Sequence, residues 1–201
     1  DTETYRVYLL FRNMPLIHHS SAMINRKLLL KYNIRYDESK RFAQDYKLWV
    51  YCSRVADCTI LPNILLESRV HSKSISREQK NTQGAYARSI MREQLKELHL
   101  NLTPNNQKSF LCLGYNKKPY QKATKQWIKD LLSSNERYHV YNQKILKQVL
   151  TEKWTRITYY GIKNAKSFKE GIAILFRLSP LRYPRLARLA FSKWYRKRHN
   201  Q

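Results

Sequence analysis

Residues 33–76 read NIRYDESKRFAQDYKLWVYCSRVADCTILPNILLESRVHSKSIS, and the predicted fold depends on this stretch. Leu48, Trp49, Cys52 and Val55 recur at three- and four-residue steps, which predicts a helix over 45–56 with one apolar face packed on a core. CTIL (58–61) and ILLESRV (64–70) then predict two short strands. Pro62-Asn63 separates them, because proline lacks the N–H group that a strand ladder needs.

Asp45 stands in or next to the first turn of that helix. A carboxylate there can accept hydrogen bonds from free backbone N–H groups, and the helix dipole favours its negative charge. One interpretation is therefore a helix cap. The other is a general base that takes a proton from a substrate hydroxyl, and the two interpretations are compatible.

Arg69 and His71 lie two residues apart at the end of the second predicted strand. In an extended segment they point to the same side, which would then carry a cation and an imidazole together. The simpler alternative for His71 is a hydrogen-bonded histidine at the end of a strand.

The ordered set YDES, QDYKLW, LPNILLESRVH and SKSIS resembles the acceptor half of family 2 glycosyltransferases of the GT-A fold. The closest resemblance is to bacterial enzymes that build capsule, exopolysaccharide or lipopolysaccharide sugars. It extends upstream to NMPLIHHSSAM (13–23) and to NRK (25–27), and it covers roughly residues 8–80.

The resemblance implies roles for individual residues. Asp45 would be the catalytic base, and Arg69 and His71 would lie near the donor diphosphate or its divalent metal, Mn or Mg, with His71 as a metal ligand. The residues implied near the acceptor are Gln44, Tyr46, Trp49 and His19. Gln44 departs from the family, which usually has glutamate there, and Trp49 and Tyr46 could instead simply pack in the core.

The donor half of that family is missing from the sequence. Family members carry an upstream nucleotide-binding βαβ region that ends in an Asp-x-Asp motif for the metal, and the 201 residues contain no such motif. We therefore expect a C-terminal portion of a longer enzyme. The predicted fold class is α/β, an incomplete GT-A half-domain with a mixed sheet over residues 1–80, followed by a mainly α-helical basic region over 81–201.

The charge belongs to the second region. Residues 1–80 carry 14 Lys and Arg against 8 Asp and Glu, whereas residues 81–201 carry 25 against 6. A short helix over 26–32, ended by Asn33, is predicted in the first region. The helices predicted in the second region cover 84–98, 104–113 with Thr103 as N-cap, 122–132, 138–150 and 167–178.

The tail, residues 180–201, predicts an amphipathic helix. Leu186, Leu189, Ala190 and Trp194 share one face, and six cations crowd the remainder. Such a helix can lie among the head groups of an anionic bilayer, or it can be a solvated helix packed on the domain. Aromatic residues among lysines would also suit a nucleic-acid groove, but no nucleic-acid-binding motif is present.

Composition excludes several other classes. Four glycines and no P-loop or dinucleotide fingerprint argue against a Gly-rich phosphate site, and three cysteines without ligand spacing fit buried thiols in a reducing compartment.

The resemblance implies inverting transfer of a sugar from a nucleotide sugar, a UDP-sugar, to a glycan or lipid-linked glycan. The enzyme would be cytoplasmic and peripheral at the inner membrane. The alternatives are a nucleic-acid-binding module and a non-catalytic, membrane-docking helical domain.

Overall fold

A computed structural model of the chain describes residues 1–11, 17–67, 79–114 and 122–163. These residues form seven α-helices and two short 3₁₀ turns, His19–Ser21 and Glu38–Lys40. The α-helices are α1 (Thr2–Phe11), α2 (Arg26–Lys31), α3 (Gln44–Val55), α4 (Lys80–Glu97), α5 (Pro104–Gly114), α6 (Lys122–Tyr138) and α7 (Gln143–Lys163). None of these helices is long and apolar enough to span a bilayer.

The chain divides into two compact units. Unit 1 comprises residues 1–102 and 131–147. Unit 2 comprises residues 103–130 and 148–201, of which 103–114, 122–130 and 148–163 are described.

The predicted α/β fold of the first region is wrong. Within the described part of the chain there is no strand and no sheet. Residues 58–67, from the two predicted strands and the break between them, have no regular secondary structure and are mostly exposed, and residues 68–70 of the second predicted strand lie outside the described residues. The composition of these segments favours a strand, but a strand is stable only when a second strand pairs with it, and the described residues supply none.

Helices lie at the six predicted positions that the structure describes, but three bounds differ from the predictions: α4 begins at Lys80 rather than at 84, α6 continues to Tyr138 beyond the predicted end at 132, and α7 covers Gln143–Lys163 rather than 138–150. α3 falls one residue from the predicted start, and α2 ends before Asn33, whose φ of 48° turns the chain out of the helix. Thr103 caps α5, since its hydroxyl accepts a hydrogen bond from the Asn106 N–H at 3.4 Å. The predicted helix over 167–178 and the tail 180–201 lie outside the described residues.

The core of unit 1 forms where α1 packs against α3 and α4. α1 buries Val7, Leu10 and Phe11 completely, because these residues recur at three- and four-residue steps and share one face of the helix. α4 contributes Ala87, Ile90, Met91 and Leu95 to this core. Leu98 is buried just beyond the end of α4. This packing sets the orientation of α3, the helix that carries Asp45.

Tyr46 lies at the centre of this packing and is 1% exposed. Its hydroxyl donates a hydrogen bond to the Leu9 carbonyl at 2.6 Å and accepts one from Gln94 Nε2 at 3.1 Å. Leu9 lies in the last turn of α1, where carbonyl groups have no partner within the helix. Tyr46 therefore satisfies a helix end and joins α1, α3 and α4.

Asn135 orders the connection between α6 and α7. Its side chain accepts a hydrogen bond from the Tyr141 N–H at 2.8 Å and donates to the Tyr141 carbonyl at 2.9 Å and to Gln143 Oε1 at 2.6 Å. The residue is fully buried. A buried amide whose groups are paired in this way fixes the conformation of the loop.

Unit 2 has its own apolar core. Phe110 of α5 meets Trp127 of α6 edge to face, with ring centroids 6.2 Å apart. Leu113 of α5 is also buried. α7 contributes Val149, Leu150 and Ile157. Burial of these side chains stabilises the unit.

We expect Tyr46→Phe to lower the free energy of unfolding by about 1–3 kcal/mol, because the Leu9 carbonyl and the Gln94 amide lose a buried partner. Chemical denaturation would measure the loss. Tyr138→Phe is the matched control, since Tyr138 is 40% exposed and keeps its ring stacking on His99. Equal stability of the two variants would contradict the assigned role of the Tyr46 hydroxyl.

Candidate functional site

The site begins at the entry to α3. Phe42 adopts a left-handed backbone conformation with φ of 71°, and its carbonyl accepts a hydrogen bond from Gln83 Nε2 at 2.9 Å. Ala43, the residue before the helix, offers no side-chain cap. Asp45 follows in the first turn, half-buried, and its Oδ1 accepts a hydrogen bond from the Tyr46 N–H at 2.8 Å. The predicted position of Asp45 at the mouth of a helix is confirmed.

Tyr36 interacts with His19 through a hydrogen bond and with Asp45 electrostatically, and we call these three residues the His–Tyr–Asp cluster. His19 Nε2 and the Tyr36 hydroxyl are 2.6 Å apart, and the two rings meet edge to face. Partial burial raises the pKa of Tyr36, and the negative charge of Asp45 raises it further. The carboxylate is therefore close enough to act on the phenol electrostatically. Both ring-bearing residues are exposed to solvent.

Tyr5 marks the inner side of this cluster. Burial raises the pKa of Tyr5 to about 12, against a hydrogen bond from the Ile17 N–H, and the charge of Asp45 contributes in the same direction as burial. The Asp45 carboxylate thus acts electrostatically on two phenols, the buried one of Tyr5 in α1 and the exposed one of Tyr36. This arrangement can hold a negative charge at the surface of unit 1 and present it to a hydroxyl group.

The other residues predicted near an acceptor are Gln44, Tyr46 and Trp49. Gln44 is exposed at the first position of α3. Tyr46 is committed to the core through its bonds to Leu9 and Gln94. Trp49 is 4% exposed and forms part of the wall of a cavity. Trp49 and Tyr46 thus pack in the interior of unit 1.

Arg69 and His71 lie outside the described residues. Their predicted position opposite Asp45, and the metal-ligand role of His71, therefore stay predictions. Among the described residues, no group of three or more His, Cys, Asp or Glu side chains is arranged to hold a metal ion. The described residues alone do not fit the divalent metal that the resemblance implies.

A cavity of about 590 Å³ opens in unit 1. Its walls are mostly apolar and come from α2, α3 and residues 56–66. His18 lines it, whereas its neighbour His19 bonds Tyr36 instead. Tyr5 lines the cavity as well, but His19, Tyr36 and Asp45 are not among the described residues that line it.

Sequence reasoning missed an ionic network on the same helix. Lys47, 6% exposed, bonds Glu93 of α4 and lies 3.7 Å from Asp37 Oδ2, and Lys40 Nζ lies 3.1 Å from Glu93 Oε1. Burial alone would raise the pKa of Glu93, but the hydrogen bonds from Lys47 and Lys40 outweigh it, so that the pKa is lowered. Glu93 is 46 residues from Lys47, and no local pattern signals such a pair.

Unit 2 buries a lysine side chain. Lys153 of α7 is 2% exposed, and burial lowers the pKa of its amine to about 7. None of the three cysteines forms a disulfide; Cys52 and Cys58 are half-buried on the cavity wall of unit 1, and Cys112 is buried in unit 2. Burial raises the pKa of the Cys52 and Cys58 thiols, which keeps them protonated and poorly nucleophilic.

The chain matches no protein-family model, and no curated protein or solved structure is significantly similar to it. The resemblance to family 2 glycosyltransferases therefore rests on the residues of the chain themselves.

We expect Asp45→Asn to lower the pKa of Tyr36, because the substitution removes the negative charge that opposes ionisation of the phenol. Titration of ¹³Cζ-labelled tyrosine by NMR would measure it, with the Tyr36 signal assigned from Tyr36→Phe. Glu38→Gln is the control for a nearby exposed carboxylate. An unchanged pKa of Tyr36 in Asp45→Asn would show that the two groups do not share a site.

We expect Glu93→Gln to lower the free energy of unfolding at neutral pH by about 1–3 kcal/mol, since it removes a charged partner from the buried Lys47. The folded-state pKa of Glu93 is lowered, so the wild type has this stabilisation above the ordinary glutamate pKa of 4.5 and loses it as the pH falls below that value.

Denaturation at pH 7 and at pH 3 would measure both effects, and the difference between wild type and Glu93→Gln should shrink at pH 3. Glu97→Gln, which breaks the more exposed pair with Arg54 on the same helix, is the matched control and should cost less than about 1 kcal/mol. A cost for Glu93→Gln that does not vary with pH would contradict the network.

Proposed function

We propose that this chain supplies the acceptor side and the catalytic base of an inverting glycosyltransferase. The proposal is carried by one observation: Asp45 lies half-buried in the first turn of α3, where its charge acts on the exposed phenol of Tyr36, and is not sealed in the core. The resemblance of the sequence around Asp45 to family 2 glycosyltransferases adds the reaction type.

The chemistry follows from the position of the carboxylate. An acceptor hydroxyl that binds beside Asp45 gives its proton to the carboxylate as its oxygen attacks the anomeric carbon of a nucleotide sugar. The bond from that carbon to the diphosphate breaks at the same time, and the configuration inverts because the attack comes from the opposite face. A positioned general base of this kind contributes roughly 10²–10⁴-fold to the rate.

Tyr36 and His19 would orient the acceptor. Their side chains carry hydrogen-bonding groups at the surface where Asp45 lies, and the 2.6 Å contact between them holds the phenol in place. A hydroxyl group of a sugar can both donate to and accept from such groups, so it can be held with its proton towards the carboxylate. Tyr36 would then act as a positioning residue.

The donor side of the reaction needs residues beyond those described. Arg69 and His71 would contact the diphosphate, and a nucleotide-binding segment with an Asp-x-Asp motif would hold the UDP-sugar and its divalent metal. The 201 residues contain no Asp-x-Asp motif, so this segment has to come from elsewhere in a longer polypeptide or from a partner protein. The acceptor would be a glycan or lipid-linked glycan of cell-surface polysaccharide synthesis at the inner membrane.

We expect Asp45→Asn to lower turnover by at least about 10²-fold, because the amide cannot accept the proton of the acceptor hydroxyl. The measurement is release of the nucleoside diphosphate from a panel of nucleotide sugars, in a complete enzyme that contains this chain. Glu38→Gln, an amide substitution at an exposed carboxylate close to Tyr36 in sequence, should leave turnover unchanged. Circular dichroism would establish that both variants are folded.

Two results would refute the proposal. Turnover of Asp45→Asn close to that of the wild type would remove the general base. Loss of turnover in Glu38→Gln to the same degree would show that the effect comes from charge or folding rather than from the proton acceptor.

A further inference from the structure

Unit 1 exposes large apolar side chains around its cavity. The apolar patch, as we call it, consists of Met23, Ile60, Leu61, Ile64 and Leu65. Met23 is 100% exposed, Ile64 is 93% exposed, and the other three are between 61% and 66% exposed. All five also line the cavity of about 590 Å³, so they form one continuous surface. Folded proteins seldom leave such a surface in water unless it binds something.

Cations border the apolar patch on one side. Leu28 and Leu29 of α2 line the same cavity, while Arg26, Lys27 and Lys31 of that helix are exposed. None of these three cations forms an ion pair with another described residue. Asp57 and Glu67 are the acidic residues of the adjoining segment 57–67, and Asp57 already accepts a hydrogen bond from Thr2. An apolar surface thus lies beside positive charge that no described residue neutralises through an ion pair.

This combination selects among possible occupants. A second copy of the chain would match the apolar side chains, but each copy carries a net charge of +25, so two copies repel each other. A nucleic acid would match the cations and leave the aliphatic side chains without a partner. The surface of an anionic bilayer matches both, because acyl chains accept the aliphatic groups while lipid phosphates pair with the lysines and arginine.

We propose that unit 1 docks on an anionic bilayer through the apolar patch, with Met23 and Ile64 entering the acyl region and the α2 cations contacting the lipid phosphates. This docking surface is separate from the basic tail, residues 180–201. It does not depend on the proposed sugar transfer.

The depth of a label at residue 64 tests the proposal directly. Ile64→Cys carries a nitroxide, and vesicles of phosphatidylglycerol and phosphatidylcholine are added to the full-length chain. We expect the label to become more accessible to molecular oxygen and less accessible to a water-soluble nickel chelate. Lys96→Cys, an exposed position of α4 outside the cavity wall, is the matched control and should stay accessible to the chelate. Wild-type protein treated with the same reagent corrects for Cys52, Cys58 and Cys112.

Vesicle cosedimentation tests the two halves of the patch separately. Ile64→Asp should weaken binding at least about tenfold, because an aspartate must be carried into the acyl region. Lys27→Gln with Lys31→Gln should weaken binding to phosphatidylglycerol vesicles by roughly fivefold for each cation removed. Both substitutions are at exposed positions, so circular dichroism should be unchanged. Neither assay contains a sugar nucleotide, and failure of the sugar-transfer proposal would not alter these results.

Either of two results would overturn the proposal. If the protein sediments with the vesicles while the label at residue 64 stays accessible to the chelate, another segment makes the membrane contact. If the label is immobilised without vesicles and sedimentation gives the mass of a dimer, a second copy covers the patch.

Discussion

Tyr46 and Lys47 follow Asp45 directly along α3, and they anchor the helix to different partners. Tyr46 ties it to the carbonyl end of α1 and to Gln94 of α4, and Lys47 is clamped between Glu93 and Asp37. Rotation of α3 would leave a buried carbonyl, a buried amide and a buried ammonium group without partners, each at a substantial free-energy cost. The direction of the Asp45 carboxylate is therefore determined by its two neighbours in sequence, and the surface shared with Tyr36 and His19 follows from it.

α3 and α5 were predictable because their sequence signals are local. α3 has apolar residues at helical spacing, and α5 has threonine and proline at its start, so neither depends on distant residues for its recognition. The strands at 58–61 and 64–70 were predicted from the same kind of local pattern, but a sheet is a property of paired segments. Within the described residues no second strand pairs with residues 58–67, and their isoleucines and leucines face solvent instead.

The candidate site was predictable to the extent that it depends on α3. The position of Asp45 at the helix mouth follows from the sequence, since an acid directly before an amphipathic run falls in the first turn. Tyr36 and Glu93 could not be placed in this way. Tyr36 reaches the site through a loop whose path is set by the 3₁₀ turn Glu38–Lys40, and Glu93 arrives from a helix 46 residues further on. Trp49 was predicted either to contact the acceptor or to pack in the core, and its burial assigns it to the core and the cavity wall.

Phe42 gives the site a dependence that its own residues do not reveal. A bulky side chain at φ of 71° costs about 1 kcal/mol or more relative to an ordinary conformation, so the turn before α3 is held under tension. The amide of Gln83 restrains it through the Phe42 carbonyl, from a helix that supplies no member of the His–Tyr–Asp cluster. A substitution at residue 83 can therefore change the position of the Asp45 carboxylate without contacting it. A glycine at residue 42 would remove the backbone strain and would also let the Asp45 carboxylate take more than one orientation.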